Sequence, residues 1–218
     1  MMEELDLLKK DWKKNENSFE QVSEVDIYKM LHKKSSSIVK WIFYISLIEL
    51  LLGIVINIVL SFTKYDSQSI DLYKKWGVYE FYIVITILLY IVVLYFIYKF
   101  YLNFKKICVI DNTKQLLTTI LNTRKVVKHY VVFNLTSFAV IFITIFSVGF
   151  YHIYIDTMLK KGIEHPEISF KVVAISLLII IIITAIFTFI FWLFYKLLYG
   201  ILLKRLFRNY NELKKIDL

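Results

Sequence analysis

The chain has 218 residues, and its composition excludes most soluble folds: 58% of the residues are hydrophobic and 17% are aromatic, whereas soluble domains are about 45–50% apolar. A single cysteine excludes an internal disulfide framework and a cysteine-rich metal site. The net charge of +9 comes mostly from lysine, which outnumbers arginine 24 to 3, and this argues against a dedicated reader of phosphate groups or nucleic-acid bases.

Residues 1–22 predict a short amphipathic helix followed by a polar linker. Leu5, Leu8 and Trp12 recur at helical spacing, and lysines at positions 9, 10, 13 and 14 surround them. A stripe of this length does not form a stable helix in water by itself. We therefore expect it to lie on lipid, to pack on the rest of the protein, or to dock on a soluble partner.

Four long apolar segments follow, and each has the length needed to cross a bilayer, which takes about 20 residues. Their bounds are about 41–63, 78–98, 130–155 and 172–195. Strands of an outer-membrane barrel would alternate polar and apolar residues, and these segments do not. The sequence therefore predicts an all-α fold for residues 23–218: an integral membrane four-helix bundle in the lipid bilayer.

The spans are predicted to continue as helices into the cytoplasm. A capping-box pattern from Ser23 to Asp26 predicts a helix from about 24 to 62. Residues 99–129 predict a helical hairpin that turns at Asp111 to Thr113. The fourth span continues past Lys196 to about Tyr210. Much of the bundle is therefore expected to extend beyond the membrane.

The distribution of lysine and arginine predicts the orientation. Twenty-one of the 27 lie in residues 1–40, 99–129 and 196–218, and six lie in the loops expected at 64–77 and 156–171. Because basic segments stay in the cytoplasm, both termini are predicted on the cytoplasmic side of a bacterial inner membrane. Aromatic residues near the ends of the spans are predicted to be interfacial anchors: Trp41, Trp76, Tyr79, Tyr98, Tyr130 and Tyr195.

Glu49 is the one acidic residue well inside a predicted span, since Glu80 lies at the very start of the second, and a carboxylate there is unfavourable unless it is paired, protonated or hydrated. Gly53 and Asn57 lie on the same side of the helix. The functional interpretation is an intramembrane polar site of Glu49, Asn57 and Asn134 that handles a proton or a cation. The structural interpretation is a hydrogen-bonded glutamate that holds the helices in register, against Asn134, Thr136 or Ser137.

No other pattern predicts chemistry. The four histidines lack the local spacing of a metal site, and the sequence has no phosphate-binding glycine loop, serine elbow or zinc-protease motif. Each basic cluster lies just inside a predicted membrane surface, where anionic lipid headgroups favour lysine. We therefore predict no catalytic, cofactor-binding or metal-binding residues and no nucleic-acid partner.

Three stretches, residues 11–13, 27–41 and 111–117, resemble an uncharacterised family of four-span inner-membrane proteins from Bacteroidota. Members are sometimes labelled carotenoid-oxygenase-like, a label that implies a β-propeller with an iron held by four histidines. This chain has neither the strand pattern nor a suitable set of histidines. Some relatives are encoded near sigma-factor genes, which implies a membrane-bound regulator with a sigma factor as its partner.

These observations predict a non-enzymatic regulator or scaffold that presents a cytoplasmic helical surface to a soluble protein. The predicted docking residues are Leu5, Leu8 and Trp12 in the N-terminal helix and Asp111 at the hairpin tip. The alternative is a small proton- or cation-coupled transporter or channel component that uses Glu49. A membrane enzyme ranks third. A homo-oligomer is compatible with either leading function, because a four-helix bundle has little interior for a pathway.

Overall fold

The computed structural model of the chain describes residues 23–110, 112–163 and 166–216, and these residues contain helices and no strand. The helices, in chain order, are α1 Glu24–Ser61, α2 Lys64–Lys75, α3 Tyr79–Val109, α4 Thr113–Lys160, α5 Phe170–Tyr195 and α6 Ile201–Ile216. A π-helical turn, Lys196–Gly200, joins α5 to α6 without a break. The predicted all-α class is confirmed.

Two helices begin where capping residues predicted. The hydroxyl of Ser23 accepts a hydrogen bond from the backbone N–H of Asp26 (3.2 Å) and donates one to its carboxylate (2.6 Å). The side chain of Asn112 accepts a hydrogen bond from the backbone N–H of Lys114 at 2.9 Å. Both caps satisfy a donor that the first turn of a helix otherwise leaves unpaired.

The segment between the first two long helices is not the loop that the sequence predicted. Residues Lys64–Lys75 form the 12-residue helix α2, which ends in a turn at Gly77 with a φ of 69°. A glycine adopts this backbone conformation without steric cost. Tyr73 and Trp76 face α3 and α4 from this turn, so burial of their rings explains why the segment folds back as a helix. The third long helix also exceeds the prediction, because α4 continues to Lys160.

Four helices are long and apolar enough to cross a membrane: Glu24–Ser61, Tyr79–Val109, Thr113–Lys160 and Phe170–Lys215. At about 1.5 Å per residue, α1 is about 57 Å long and α4 about 72 Å. Because the hydrocarbon of a bilayer is about 30 Å thick, each of these two helices has a large part outside any membrane that it crosses.

Buried residues concentrate at one end of the bundle, which we call the head (residues 24–46, 97–110, 112–130 and 196–216). Here α1, α3, α4 and α6 enclose two apolar clusters: Leu31, Val39, Ile107, Leu116, Ile120, Leu206 and Leu213, and then Ile42, Phe100, Val127, Tyr130 and Tyr199. In the remainder of the described chain, which we call the apolar half, Ile180 and Thr184 are the buried residues. The head is therefore the packed part of the molecule.

Polar contacts between helices add to the core of the head. His32 Nε2 lies 2.7 Å from the carbonyl oxygen of Ile107 and so joins α1 to α3. Asn209 donates a hydrogen bond to the buried hydroxyl of Ser35 at 3.2 Å and so joins α6 to α1. A matching contact joins α4 to α3, where Asn122 donates to Asn103 at 3.2 Å. Each of the four helices of the head thus has its position fixed by apolar packing, and three of the pairs also by a polar contact.

The apolar half exposes most of its large side chains. In the isoleucine run 179–183, Ile180 is buried and the other four are exposed. The ring of Phe191 packs edge-on against Phe138 of α4, with the ring centroids 4.8 Å apart, so α5 packs against α4. An apolar surface of this extent is unusual on a soluble monomer and suits contact with lipid.

Candidate functional site

Glu49 lies on α1 where the head meets the apolar half, and its carboxylate is surrounded by phenol groups. The hydroxyl of Tyr130 donates a hydrogen bond to Oε2 at 2.9 Å, and the hydroxyl of Tyr199 donates to the same oxygen at 3.2 Å. Tyr195 donates to the other oxygen, Oε1. We call these four residues the Glu49 cluster. It joins α1 to α4 and to the junction of α5 with α6.

The π-helical turn positions two of the three donors. Tyr195 is the last residue of α5, and Tyr199 lies inside the turn Lys196–Gly200. The two rings stack with their centroids 6.0 Å apart and their planes at 24°, so both hydroxyls reach the same carboxylate. Single π-helical turns inside α-helices occur frequently at functional sites. The irregular backbone of this turn therefore coincides with the place where Tyr195 and Tyr199 bind Glu49.

Tyr130 is enclosed by other aromatic rings. It is 1% exposed, and its ring packs edge-on against Tyr195 (6.5 Å), Tyr199 (6.0 Å) and Phe100 (5.4 Å). The prediction that Tyr130 is an interfacial anchor in contact with lipid is therefore wrong. Residues near a predicted membrane surface can face lipid or the bundle, and a hydroxyl that donates to a partly buried carboxylate is more stable inside.

Both carboxylate oxygens of Glu49 have hydrogen-bond donors. Among the described residues no lysine, arginine or histidine forms an ion pair with it. Three phenol donors thus replace the water that a carboxylate loses on burial, and hydrogen bonds to a charged group are stronger than those between neutral groups. The cluster can hold a carboxylate without a cationic partner.

A cavity of about 300 Å³ adjoins Glu49 on the side facing α3 and α4. Asn134 lines it, and the side-chain nitrogen of Asn134 is buried without a hydrogen-bond partner. Asn57 donates to the carbonyl of Gly53 at 2.8 Å and to the hydroxyl of Tyr90, another lining residue, at 3.3 Å. The structure thus brings Glu49 and Asn134 to one cavity and places Asn57 at its edge.

The partners expected for Glu49 differ from those observed. Asn134 shares the cavity but makes no hydrogen bond to Glu49, and Thr136 donates to the carbonyl of Val132 in its own helix at 2.6 Å. Sequence reasoning missed the role of Tyr195 and Tyr199, because tyrosines at the end of a span resemble interfacial anchors. Their spacing of four residues, which places two hydroxyls on one side of a helix, was the available signal.

The predicted docking residues Leu5, Leu8, Trp12 and Asp111 lie outside the described residues. An open groove of about 550 Å³ runs between the end of α3 and the start of α4. Lys106 and Lys114 line it together with Val109, which is 73% exposed. This end of the hairpin presents basic and apolar groups side by side.

The described residues contain no group of three or more His, Cys, Asp and Glu side chains that could hold a metal ion. A family model described as a domain of unknown function, DUF8845, matches residues 25–218. The chain belongs to the DUF8845 family. The DUF8845 match includes the described helices except Glu24, the first residue of α1, and therefore the whole Glu49 cluster. Comparisons with curated proteins and with solved structures found no match.

The Glu49 cluster predicts a specific pattern of stability changes. Tyr199→Phe removes one hydrogen bond to the carboxylate and should lower the free energy of unfolding by about 1–2 kcal/mol. Glu49→Leu should lower it further, because three hydroxyls then lose their acceptor. Unfolding of the purified protein in mixed detergent, followed by circular dichroism, measures both changes. Tyr98→Phe is the matched control, since Tyr98 is 58% exposed. Equal shifts for Tyr199→Phe and Tyr98→Phe would contradict the assignment.

Proposed function

We propose that this chain is a multi-pass protein of a bacterial inner membrane that acts as a non-enzymatic regulator or scaffold, with the head and both termini in the cytoplasm. The observation that carries the proposal is the contrast between the head and the apolar half. The head has a packed core and polar contacts between its helices. The apolar half exposes large apolar side chains, which suit contact with lipid, and buries few residues.

The polar side chains of the apolar half support a structural role for it. Their hydroxyls mostly donate to carbonyls of their own helix, four or three residues back: Thr86, Thr136, Thr144, Thr157, Ser176 and Thr184. A hydroxyl bonded in this way has its donor occupied, so it is not free to donate to a solute that crosses the membrane. The polar side chains that converge in the described part of the apolar half are those at the cavity beside Glu49, namely Asn57, Tyr90 and Asn134, whereas a transport path has polar groups along its whole length.

Glu49 has a fastening role in this proposal. It lies at the boundary between the head and the apolar half, and its three hydrogen bonds join α1 to α4 and α5. Because the head is made from continuations of the same helices, a fixed arrangement at this level keeps the head assembled on its membrane anchor. A scaffold needs such a rigid connection.

The distribution of basic residues supports the orientation. Lysine and arginine are frequent in the segments that form the head, while six lie in the two segments at the opposite end. Basic segments remain in the cytoplasm, and anionic lipids attract them there.

Thiol labelling tests the orientation. Cys108 is exposed in the head, so an impermeant maleimide added to whole cells should leave the native protein unlabelled and should label it after permeabilisation. Gln68 is exposed on α2 at the other end. The variant Gln68→Cys with Cys108→Ser should be labelled in whole cells, and Thr118→Cys in the same background should not. Labelling of Thr118→Cys alone in whole cells would invert the proposed topology.

The partner surface in this proposal comprises the N-terminal residues Leu5, Leu8 and Trp12 and the hairpin tip at Asp111. The groove beside the tip carries Lys106 and Lys114, which suits an acidic segment of a soluble protein. The family resemblance favours a sigma factor as that protein. The described residues contain no metal-binding group, and the proposal assigns no enzymatic step to them.

Apolar docking predicts that Leu8→Ala with Trp12→Ala removes a crosslinked soluble partner while membrane insertion persists, because aromatic anchors dominate such interfaces. Replacement of lysines 9, 10, 13 and 14 by glutamine should weaken the association much less. Crosslinking in native membranes, followed by purification and mass spectrometry, compares the two variants. Loss of the partner in the glutamine variant alone would show that the association depends on charge and refute apolar docking.

The second candidate is a small proton- or cation-coupled transporter or channel component, favoured by the cavity of about 300 Å³ beside Glu49. The orphaned nitrogen of Asn134 in that cavity indicates room for a polar occupant.

Glu49→Gln separates the two functions. The amide keeps one oxygen acceptor but cannot exchange a proton, so Glu49→Gln should lower the free energy of unfolding about as much as Tyr199→Phe does, and a scaffold should keep its partner. A transporter should lose a pH-gradient-dependent uptake in vesicles with Glu49→Gln and keep it with Tyr199→Phe, which matches the loss of stability. Asn57→Asp is unsuitable as a control because it adds a charge, so Tyr98→Phe serves again. Loss of uptake in Glu49→Gln alone would overturn the scaffold proposal.

A further inference from the structure

A second cavity, of about 330 Å³, lies at the end of the bundle opposite the head. The turn after α2 covers it with the rings of Tyr73 and Trp76, and α3 and α4 form its walls. Apolar side chains dominate the lining, from Phe81 to Ile85 on α3 and from Val140 to Val148 on α4. Because α2 covers this space, it differs from the open lipid-facing surface of the helices.

Trp76 is fixed in position and has an unused hydrogen-bond donor. Its ring stacks on His152 of α4 with the centroids 5.1 Å apart and the planes at 9°. The ring also lies against Gly149, where a Cβ atom would make an ordinary van der Waals contact with it at 3.7 Å. The indole N–H is buried and has no hydrogen-bond acceptor. A buried donor without an acceptor is unfavourable, so an occupant that supplies an acceptor would be stabilised.

The cavity is elongated along the helices. From Val148 to Val140 it follows α4 for about 12 Å, and the corresponding inner residue of α3 is Ile85. Trp76 lies at the outer end, against Gly149 and His152. Towards the other end the hydroxyl of Thr144 donates to the carbonyl of Val140 at 2.8 Å, so it is already used within its own helix. The occupant must therefore be a long apolar chain with an acceptor at one end.

The charged groups nearby are engaged with each other. Lys75 donates to the carboxylate of Asp156 at 2.6 Å, and this contact holds the end of α2 on α4. Neither residue lines the cavity. A charged ligand would find no counter-ion inside it, whereas a neutral ester carbonyl needs only the indole N–H.

We propose that this cavity binds one acyl chain of a membrane lipid, with the ester carbonyl oxygen of that lipid accepting a hydrogen bond from Trp76 Nε1. Ester carbonyls lie at the membrane interface, where tryptophan is enriched, and their chains run parallel to the spanning helices. This inference rests on the membrane location proposed above, but not on a soluble partner or on the role of Glu49.

Native mass spectrometry tests the proposal after incorporation into vesicles of equal parts phosphatidylethanolamine and phosphatidylglycerol and extraction with detergent. The wild type should retain one lipid molecule through detergent exchange. Trp76→Phe keeps a ring over Gly149 but removes the donor, so retention should fall several-fold. Val148→Phe fills the cavity and should abolish retention.

Matched controls carry the same changes outside the cavity. Trp192→Phe alters an exposed tryptophan of α5, and Val132→Phe alters an exposed valine of α4; both should retain the lipid as the wild type does. A lipid with a photoactivatable acyl chain gives an independent measurement on the unaltered protein, and it should crosslink to peptides containing Ile85 and Val140.

Absence of a retained lipid in the wild type, or retention in Val148→Phe equal to that of the wild type, would overturn the proposal. Retention in Trp76→Phe equal to that in Trp192→Phe would remove the indole N–H as the group that binds the carbonyl and overturn the site as described. Failure of lipid retention leaves the labelling and partner results unchanged, so it is distinguishable from failure of the proposed function.

Discussion

A carboxylate in an apolar helix loses the water that would solvate it, and Glu49 recovers that solvation from three phenol hydroxyls. The donors come from two different parts of the chain, α4 and the junction between α5 and α6. Those helices must therefore approach α1 at the level of Glu49, and the π-helical turn Lys196–Gly200 lets α5 do so with two tyrosines. Away from Glu49 the packing of the helices differs on the two sides of the cluster.

On one side of the Glu49 cluster the helices remain close and bury a core. Burial of apolar surface is favourable in water. Ile42, Phe100 and Val127 continue directly from the cluster into that core. On the other side the helices expose their isoleucine, leucine and phenylalanine side chains. Lipid gives no hydrophobic driving force for helices to bury such side chains, so the proposed location of the apolar half in a membrane accounts for their exposure.

Residue patterns predicted the helix starts at Ser23 and Asn112, the four long apolar helices and the polar character of Glu49, because each depends on local sequence. Helix α2 escaped prediction because it is held by tertiary contacts of Trp76 with α4, which a charge and hydropathy pattern does not contain. The inward direction of Tyr130 escaped for the same reason: a tyrosine at a predicted membrane surface has two favourable surroundings, and the partner that decides between them lies 81 residues away. The π-helical turn has no composition signal of its own.

The contacts that connect the two ends of the molecule also differ between the head and the apolar half. In the apolar half α5 packs mainly on α4, and it meets α1 through the bonds of Tyr195 and Tyr199 to Glu49. At the far end α2 is attached to α4 by the stack of Trp76 on His152 and by the exposed pair of Lys75 and Asp156, whose hydrogen bond lowers the pKa of the Asp156 carboxyl. Helices α1, α3 and α4 each run without interruption from the outer end into the head. Helix α5 is connected to α1 through the tyrosine hydroxyls that bind Glu49.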